Sequence, residues 1–293
     1  MVLIDGKKIA EEIKDELARD IAHYIDHEDR VPHLAAVLVG NDPASQTYVK
    51  NKEKACQRVG MTSSIYKYPE TITEKELLEV VDFINNDDDI DGLIVQLPLP
   101  DHIASEKIIQ HIDPAKDVDG FHPVNVGRMA LNLPAYVSAT PYGILQLLER
   151  YKIETEGKRC VVLGRSNIVG SPVSILLAKK TYPGNCTVTL CHSKTKNIEE
   201  IIKEADILIA AIGQVEFVTA DMVKNGAVVI DVGIHRVPDT SKAKGYRLVG
   251  DVKFEEVAAK CSFITPVPGG VGPMTITALL INTFKAFKKE IYP

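Results

Sequence analysis

The chain of 293 residues has no tryptophan, only five cysteines and no excess of basic charge. Cys56, Cys160, Cys186, Cys191 and Cys261 are odd in number and form no C-x-x-C pair, which argues against a disulfide framework and a thiolate metal site. They read as buried thiols, and no metal is expected. Lys plus Arg number 34 against 40 for Asp plus Glu, a net charge of −6, so the basic stripe that a nucleic-acid backbone requires is missing. No run approaches the roughly 18 consecutive apolar residues of a membrane span. Met1-Val2-Leu3-Ile4-Asp5 opens without a basic region and secretory core, so a cytoplasmic protein is expected. Internal repeats, low-complexity tracts and heptads are also lacking. What the chain does have is 45% hydrophobic residues, enough for large cores, and a length that fits about two domains. A small-molecule partner is the expectation.

Ile9, Ile13, Leu17 and Ile21 recur every four residues and predict an amphipathic helix; His23 and His27 share its later face but have no third ligand near them. Leu34 to Gly40 is too short and apolar for anything but a buried parallel strand. Asp42 as cap and Pro43 at the first position predict a helix from Ala44 to Val59 that stops at Gly60. A strand over Ser63–Tyr68, a helix over Thr73–Asn85 and a strand over Gly92–Leu97 follow, and Leu97-Pro98-Leu99-Pro100 cannot continue that strand. Asp113 to Val137, rich in Pro, Gly and Asp, reads as a long loop. Thr140 is the expected cap of the next helix, so a domain boundary falls near residue 139. Beyond it, apolar runs at 160–164, 187–190, 207–211 and 228–231 alternate with helical stretches, one starting at about Ser171, and a last helix follows Pro273. The whole is α/β, with a doubly wound, Rossmann-like parallel sheet in its second half.

Several segments carry residues suited to chemistry. Gly164-Arg165-Ser166-Asn167-Ile168-Val169-Gly170 lies between a strand and a helix, where backbone amides and the helix dipole hold a pyrophosphate; the alternative is an ordinary turn, since the spacing is not G-x-G-x-x-G. The second strand of that sheet ends Leu190-Cys191-His192-Ser193-Lys194 without the carboxylate of NAD-selective sheets, and Arg165, Ser193, His192 or Lys194 suit a 2′-phosphate, which favours NADP. Ser45, Tyr48 and Lys52 share one helix face, either catalytic or merely solvated. Gln96 sits at the carboxyl end of a parallel strand as a ligand contact or a loop anchor. Asp117-Val118-Asp119-Gly120 is a site or a turn. Pro266 to Pro273 packs three prolines and three glycines before a helix, a stiff bare backbone that a planar ligand can approach closely.

Together these blocks, with Val95-Gln96-Leu97-Pro98-Leu99-Pro100, Lys116-Asp117-Val118-Asp119-Gly120-Phe121 and Asp231-Val232-Gly233-Ile234, resemble the bifunctional methylenetetrahydrofolate dehydrogenase and methenyltetrahydrofolate cyclohydrolase family over nearly the whole chain. The resemblance implies two α/β domains around a cleft: residues 1–139, completed by the C-terminal helix 273–293, binding folate, and 140–272 binding NADP. It implies oxidation of 5,10-methylenetetrahydrofolate to the methenyl form and hydrolysis to 10-formyltetrahydrofolate, in one-carbon metabolism and purine biosynthesis, by a homodimer. It carries the catalytic roles to Lys52, its partner Gln96, Asp119 on the pterin, Tyr48 stacked on the folate, and Ser45. Substrate contacts extend to Leu97, Pro98, Pro268, Gly269, Gly270 and Val271, and cofactor contacts to Thr140, Gly164, Arg165, Ser166, Ile168, His192, Ser193, Gly233 and Ile234. Where the family often has Cys-Thr-Pro, a basic residue and Gly, this chain has Ala139-Thr140-Pro141-Tyr142-Gly143, which leaves no thiol or cation there. Two other readings compete. Another NADP-linked two-domain dehydrogenase would not need Tyr48, Lys52 and Gln96 together, and a non-catalytic folate-binding protein would bind ligand without forming product.

Overall fold

The short apolar runs become strands of two parallel sheets, each covered by helices. The computed structural model describes residues 1–25, 30–242 and 245–293. In chain order the elements are β1 (Val2–Leu3), α1 (Gly6–Ile25), β2 (His33–Val39), α2 (Pro43–Arg58), β3 (Thr62–Tyr68), α3 (Glu74–Asn85) and β4 (Gly92–Val95). Three helices follow, α4 (Ser105–His111), α5 (Pro123–Ala130) and α6 (Ala139–Arg150). Then come β5 (Arg159–Leu163), α7 (Gly170–Ala178), β6 (Thr187–Cys191), α8 (Ile198–Lys203), β7 (Ile207–Ala210), β8 (Val228–Asp231), β9 (His235–Pro238) and β10 (Tyr246–Val249). The chain closes with α9 (Phe254–Val257), β11 (Phe263–Ile264) and α10 (Val271–Phe287).

The chain divides into two compact units, Glu11–Ala139 with Ile276–Pro293, and Met1–Ala10 with Thr140–Thr275. The first is built on a parallel sheet in the order β3-β2-β4. Because successive side chains of a strand point to opposite faces, β2 feeds two cores. Leu34, Ala36 and Leu38 pack with Leu17, Ile21, Val49, Cys56, Leu280 and Phe284. Ala35, Val37 and Val39 pack with Leu77, Val81, Ile84, Leu93 and Ile108. The continuous apolar run of β2 is thus explained by burial on both faces. The second unit has a six-stranded parallel sheet in the order β1-β11-β8-β7-β5-β6. The chain runs outward from β5 to β6 and then returns to β7 on the other side of β5, so β5 and β7 flank the point where strand order reverses.

Capping explains the helix starts. Asp42 accepts from the Ser45 N–H with Pro43 in the first turn of α2, and Thr73 and Glu76 form a reciprocal capping box on α3. Several expectations need correction. Thr140 is not a cap, since α6 already begins at Ala139; its hydroxyl lies 3.2 Å from that of Thr275. The stretch 113–137 is not all loop, because Pro123 in the first turn and the His122 side chain, which accepts from the Val124 N–H, start α5. β4 ends at Val95, so Gln96 and Leu97 lie just past the strand. The first ten residues group with the second unit, because β1 pairs in parallel with β11 (Val2 opposite Phe263). α10 starts at Val271, ahead of Pro273, which the first turn of a helix tolerates. His27 lies outside the described residues.

Candidate functional site

In the first unit, α2 places Tyr48 and Lys52 one turn apart, and the end of β4 brings Gln96 to meet them. Lys52 is only 6% exposed, although it carries an amine. Its Nζ donates to Gln96 Oε1 at 3.3 Å and lies 5.1 Å from the centre of the Tyr48 ring. Gln96 cannot be turned the other way without loss, because its Nε2 donates to the Leu97 carbonyl at 2.8 Å. Burial pushes the Lys52 pKa below its usual 10.5, while the charges of Asp119 and Cys56 oppose that fall. Asp119 is pushed upward by burial and drawn back by Lys52. A desolvated amine whose proton is easily given up, facing a carboxyl group and an amide oxygen, is suited to general acid–base work near neutrality.

Asp119 stands on a loop fixed from several directions. The Leu93 N–H donates to the Lys116 carbonyl at 2.8 Å, which lays the loop along β4. Asp117 is buried and accepts from the N–H groups of Phe121 (3.2 Å) and His122 (2.8 Å) and from Asn125 Nδ2 (2.9 Å). Burial raises its pKa to about 7 against those bonds. Gly120 has φ +70°, and a Cβ there would press on the Ser138 nitrogen at 2.7 Å. From α10, Asn282 Nδ2 donates to the carbonyls of Val118 and Val137, both at 2.9 Å. Asp117, Asn125 and Asn282 were not singled out by motif as supports of Asp119, and a Gly three residues beyond it is the only local signal for the first.

In the second unit the β5–α7 turn is shaped by glycine. Gly164 has φ +104°, and a Cβ there would run into the Ala211 carbonyl oxygen at the end of β7. A Cβ at Gly170 would meet the Gly164 carbonyl. Ser166 Oγ accepts from the N–H groups of Val169 (3.2 Å) and Gly170 (3.4 Å). Arg165, Ser166 and Ile168 are exposed on this turn. Leu163 pairs with Cys191, so Arg165 and Ser193 each lie two residues beyond that pair, at the carboxyl ends of adjacent strands. His192 Nδ1 accepts from the Lys194 N–H at 3.2 Å, so that ring nitrogen helps to shape the β6 turn. Gly233 follows β8, and the Ile234 side chain beside it is 56% exposed. The amides and cradle suit a nucleotide phosphate.

The Pro266–Pro273 loop also lies in this unit. Gly269 has φ +106°, its carbonyl accepts from the Lys7 N–H at 2.9 Å, and a Cβ at Gly270 would crowd the Pro266 carbonyl at 2.6 Å. Pro268 is exposed and Val271 buried. Thus Tyr48, Lys52, Gln96 and Asp119 come together in one unit, with Leu97 and Pro98 directly after Gln96. Ser45 is buried on the same helix with its N–H donating to Asp42 Oδ2 at 2.7 Å; among the described residues no hydrogen bond joins its hydroxyl to that group.

Two families of domain match the chain: the tetrahydrofolate dehydrogenase/cyclohydrolase catalytic domain over residues 4–119, and the NAD(P)-binding domain of the same family over residues 138–291. The bifunctional protein FolD of Bacteroides fragilis is 61% identical over 292 residues, covering 100% of both chains. Among solved structures, the bifunctional methylenetetrahydrofolate dehydrogenase/cyclohydrolase of Campylobacter jejuni is 47% identical, with TM-score 0.93 and 99% of each chain covered. The Trypanosoma brucei enzyme, solved with NADP cofactor and an inhibitor, is 39% identical with TM-score 0.93, covering 100% of this chain and 99% of that one.

Proposed function

The chain belongs to the tetrahydrofolate dehydrogenase/cyclohydrolase family, and from that membership we propose how its residues carry the two activities: NADP-dependent oxidation of 5,10-methylenetetrahydrofolate to the 5,10-methenyl form, and hydrolysis of that product to 10-formyltetrahydrofolate. The observation that carries the reading is the buried Lys52 bonded to Gln96 at the end of a parallel strand. When bound, NADP accepts the hydride that leaves the methylene carbon. The substrate then carries a cation spread over two nitrogens, so the first step demands orientation more than a base. Tyr48 offers a ring face to the folate, and Asp119 offers two acceptor oxygens to the amino-pyrimidinone edge of the pterin.

The second step needs a base. Water attacks the cationic carbon and loses a proton as the C–O bond forms; the adduct collapses with cleavage of the bond to N5, which takes up a proton. Lys52 is the group that moves these protons, held towards the reacting carbon by Gln96, and a cationic substrate favours its neutral form further. Leu97, Pro98 and the Pro268–Val271 segment complete the substrate contacts, and Ser45 supports the face of α2. For the cofactor, the glycine cradle at Gly164 and Gly170 fits a pyrophosphate, while Arg165 and Ser193, with His192 beside them, suit the 2′-phosphate. Ser166, Ile168, Thr140, Gly233 and Ile234 supply the remaining contacts.

The family resemblance also supports a cytoplasmic homodimer whose 10-formyl product serves purine synthesis. Sedimentation at twice the 32.2 kDa chain mass is the expected result for the dimer. The test of function is a stopped assay on the purified chain with 5,10-methylenetetrahydrofolate and, in parallel, NADP or NAD. Reduced NADP with little persisting methenyl absorbance is expected. Lasting methenyl accumulation would mean a dehydrogenase with weak cyclohydrolase, and no reduction of either cofactor would overturn the reading.

A further inference from the structure

Two carboxylates that no step above uses lie side by side in the second unit. Asp251 has no exposed surface and Asp231 is almost as buried. Asp251 follows β10, yet its Oδ2 accepts from the N–H groups of Ile212 (2.8 Å) and Gly213 (2.9 Å), the loop directly beyond β7. Its Oδ1 meets His235 Nε2, at the start of β9, at 2.7 Å. Asp231, the last residue of β8, accepts from the N–H groups of Gly233 (3.0 Å), Asp251 (2.9 Å) and Val252 (3.0 Å). Its own N–H donates to Thr265 Oγ1 at 2.7 Å, one residue before the Pro266–Pro273 loop. Two glycines make room: a Cβ at Gly233 would collide with the Asp251 carboxylate, and one at Gly250 with that of Asp231.

The loops at Ile212–Gly213, Gly233 and Pro266 leave the carboxyl ends of β7, β8 and β11, the edge where open parallel sheets bind ligands, while Asp251 reaches them from the end of β10. We propose that Asp251 is a positioning residue for NADP: its carboxylate fixes the Ile212–Gly213 loop, while Asp231 holds both the Gly233–Ile234 turn and the backbone that carries Asp251. The inference rests on the reading that this edge takes the cofactor. Asp251 reaches the cofactor only through the backbone it holds, since its side chain is closed off from solvent.

The two activities of the chain separate a positioning role from a structural one, because hydrolysis of 5,10-methenyltetrahydrofolate needs no NADP. Removing Asp251 leaves two N–H groups without their acceptor, a loss comparable in effect to about tenfold in an equilibrium constant. Asp251→Ala is therefore expected to raise the Kd for NADP, measured by calorimetry without folate, about tenfold or more. In the same preparation its cyclohydrolase rate should stay within about twofold of the parent. Asp251→Asn keeps one oxygen for the two amides and turns its NH2 to His235, so it should recover most of the affinity, with a Kd about threefold above the parent. An unchanged Kd in the alanine variant, or loss of both activities in parallel, would overturn the role. If the alanine variant does not fold, the asparagine variant decides: a Kd equal to the parent's removes the proposal. Failure of the parent itself to bind NADP would instead refute the cofactor reading, and would be seen before any variant is made.

Discussion

An amine buried to the degree of Lys52 works against the stability of its own fold. Its pKa is lower in the folded chain than in the unfolded one. The unfolded chain therefore binds the extra proton, and through this group stability rises with pH up to about 10.5. Lys52→Met removes that charge in a similar volume, at the cost of a donor for the partly exposed Gln96. Its thermal midpoint at pH 7 is expected to equal or exceed the parent's, while formyl production is lost. A lower midpoint or surviving hydrolysis would count against the role. Asp117 titrates in the opposite sense. Its pKa of about 7 lies above the usual 3.8, so the folded chain holds the proton between those values and the group's contribution falls as pH rises through that window. The stability margin of the parent over Asp117→Asn in urea titrations should narrow from pH 5 to pH 8. Helical spacing put Tyr48 and Lys52 on one face and the strand pattern put Gln96 at a strand end, because these are local signals, but only the family resemblance gave them roles. Asp117 was not, since a buried carboxylate that collects amides from its own loop is written with the same letters as an ordinary turn.

At the scale of elements, α10 does two things. Leu279, Leu280 and Phe284 complete one core of the first unit, and Asn282 ties two loops, at Val118 and Val137, to the helix. Asn282→Leu would leave both carbonyls without that donor in a site too apolar to release them to water, costing about 2–4 kcal/mol. Urea unfolding checks the loss. Because Val118 precedes Asp119, folate affinity should fall in that variant while NADP affinity holds. The long strands and helices were legible: Asp42-Pro43 gave a start that the structure keeps, and the apolar spacing of 73–85 gave a helix whose capping box the structure adds. The short pieces were missed for lack of length. α4 spans seven residues and α5 eight, too few for a periodic pattern to stand out, and the β9–β10 pair lies in a stretch to which the sequence assigned no element. For β1 the reason differs: two residues hold no pattern, and the partner is supplied by β11 at the other end of the chain.

At the scale of the whole molecule, α1 and α10 each begin in one unit and end in the other. Melting either helix therefore disturbs residues of both units, and the chain is expected to unfold in one cooperative transition. Saturation with NADP at 100 times its Kd should add about 2.7 kcal/mol to that transition. The checks are calorimetry and circular dichroism with and without the cofactor. Two separate transitions, of which NADP moves one, would mean that the shared helices do not couple the units.

The pairing of β1 with β11 also sets a timetable for the growing polypeptide. Val2 and Leu3 cannot take their place in the sheet until Phe263 and Ile264 have been made, and the first unit waits longer still for Leu280 and Phe284. Domains commonly fold in order of emergence, but here neither unit can finish before segments far along the chain have been made. A chain that stops before β11 is expected to yield no half-enzyme with one activity, because both units are then short of a partner.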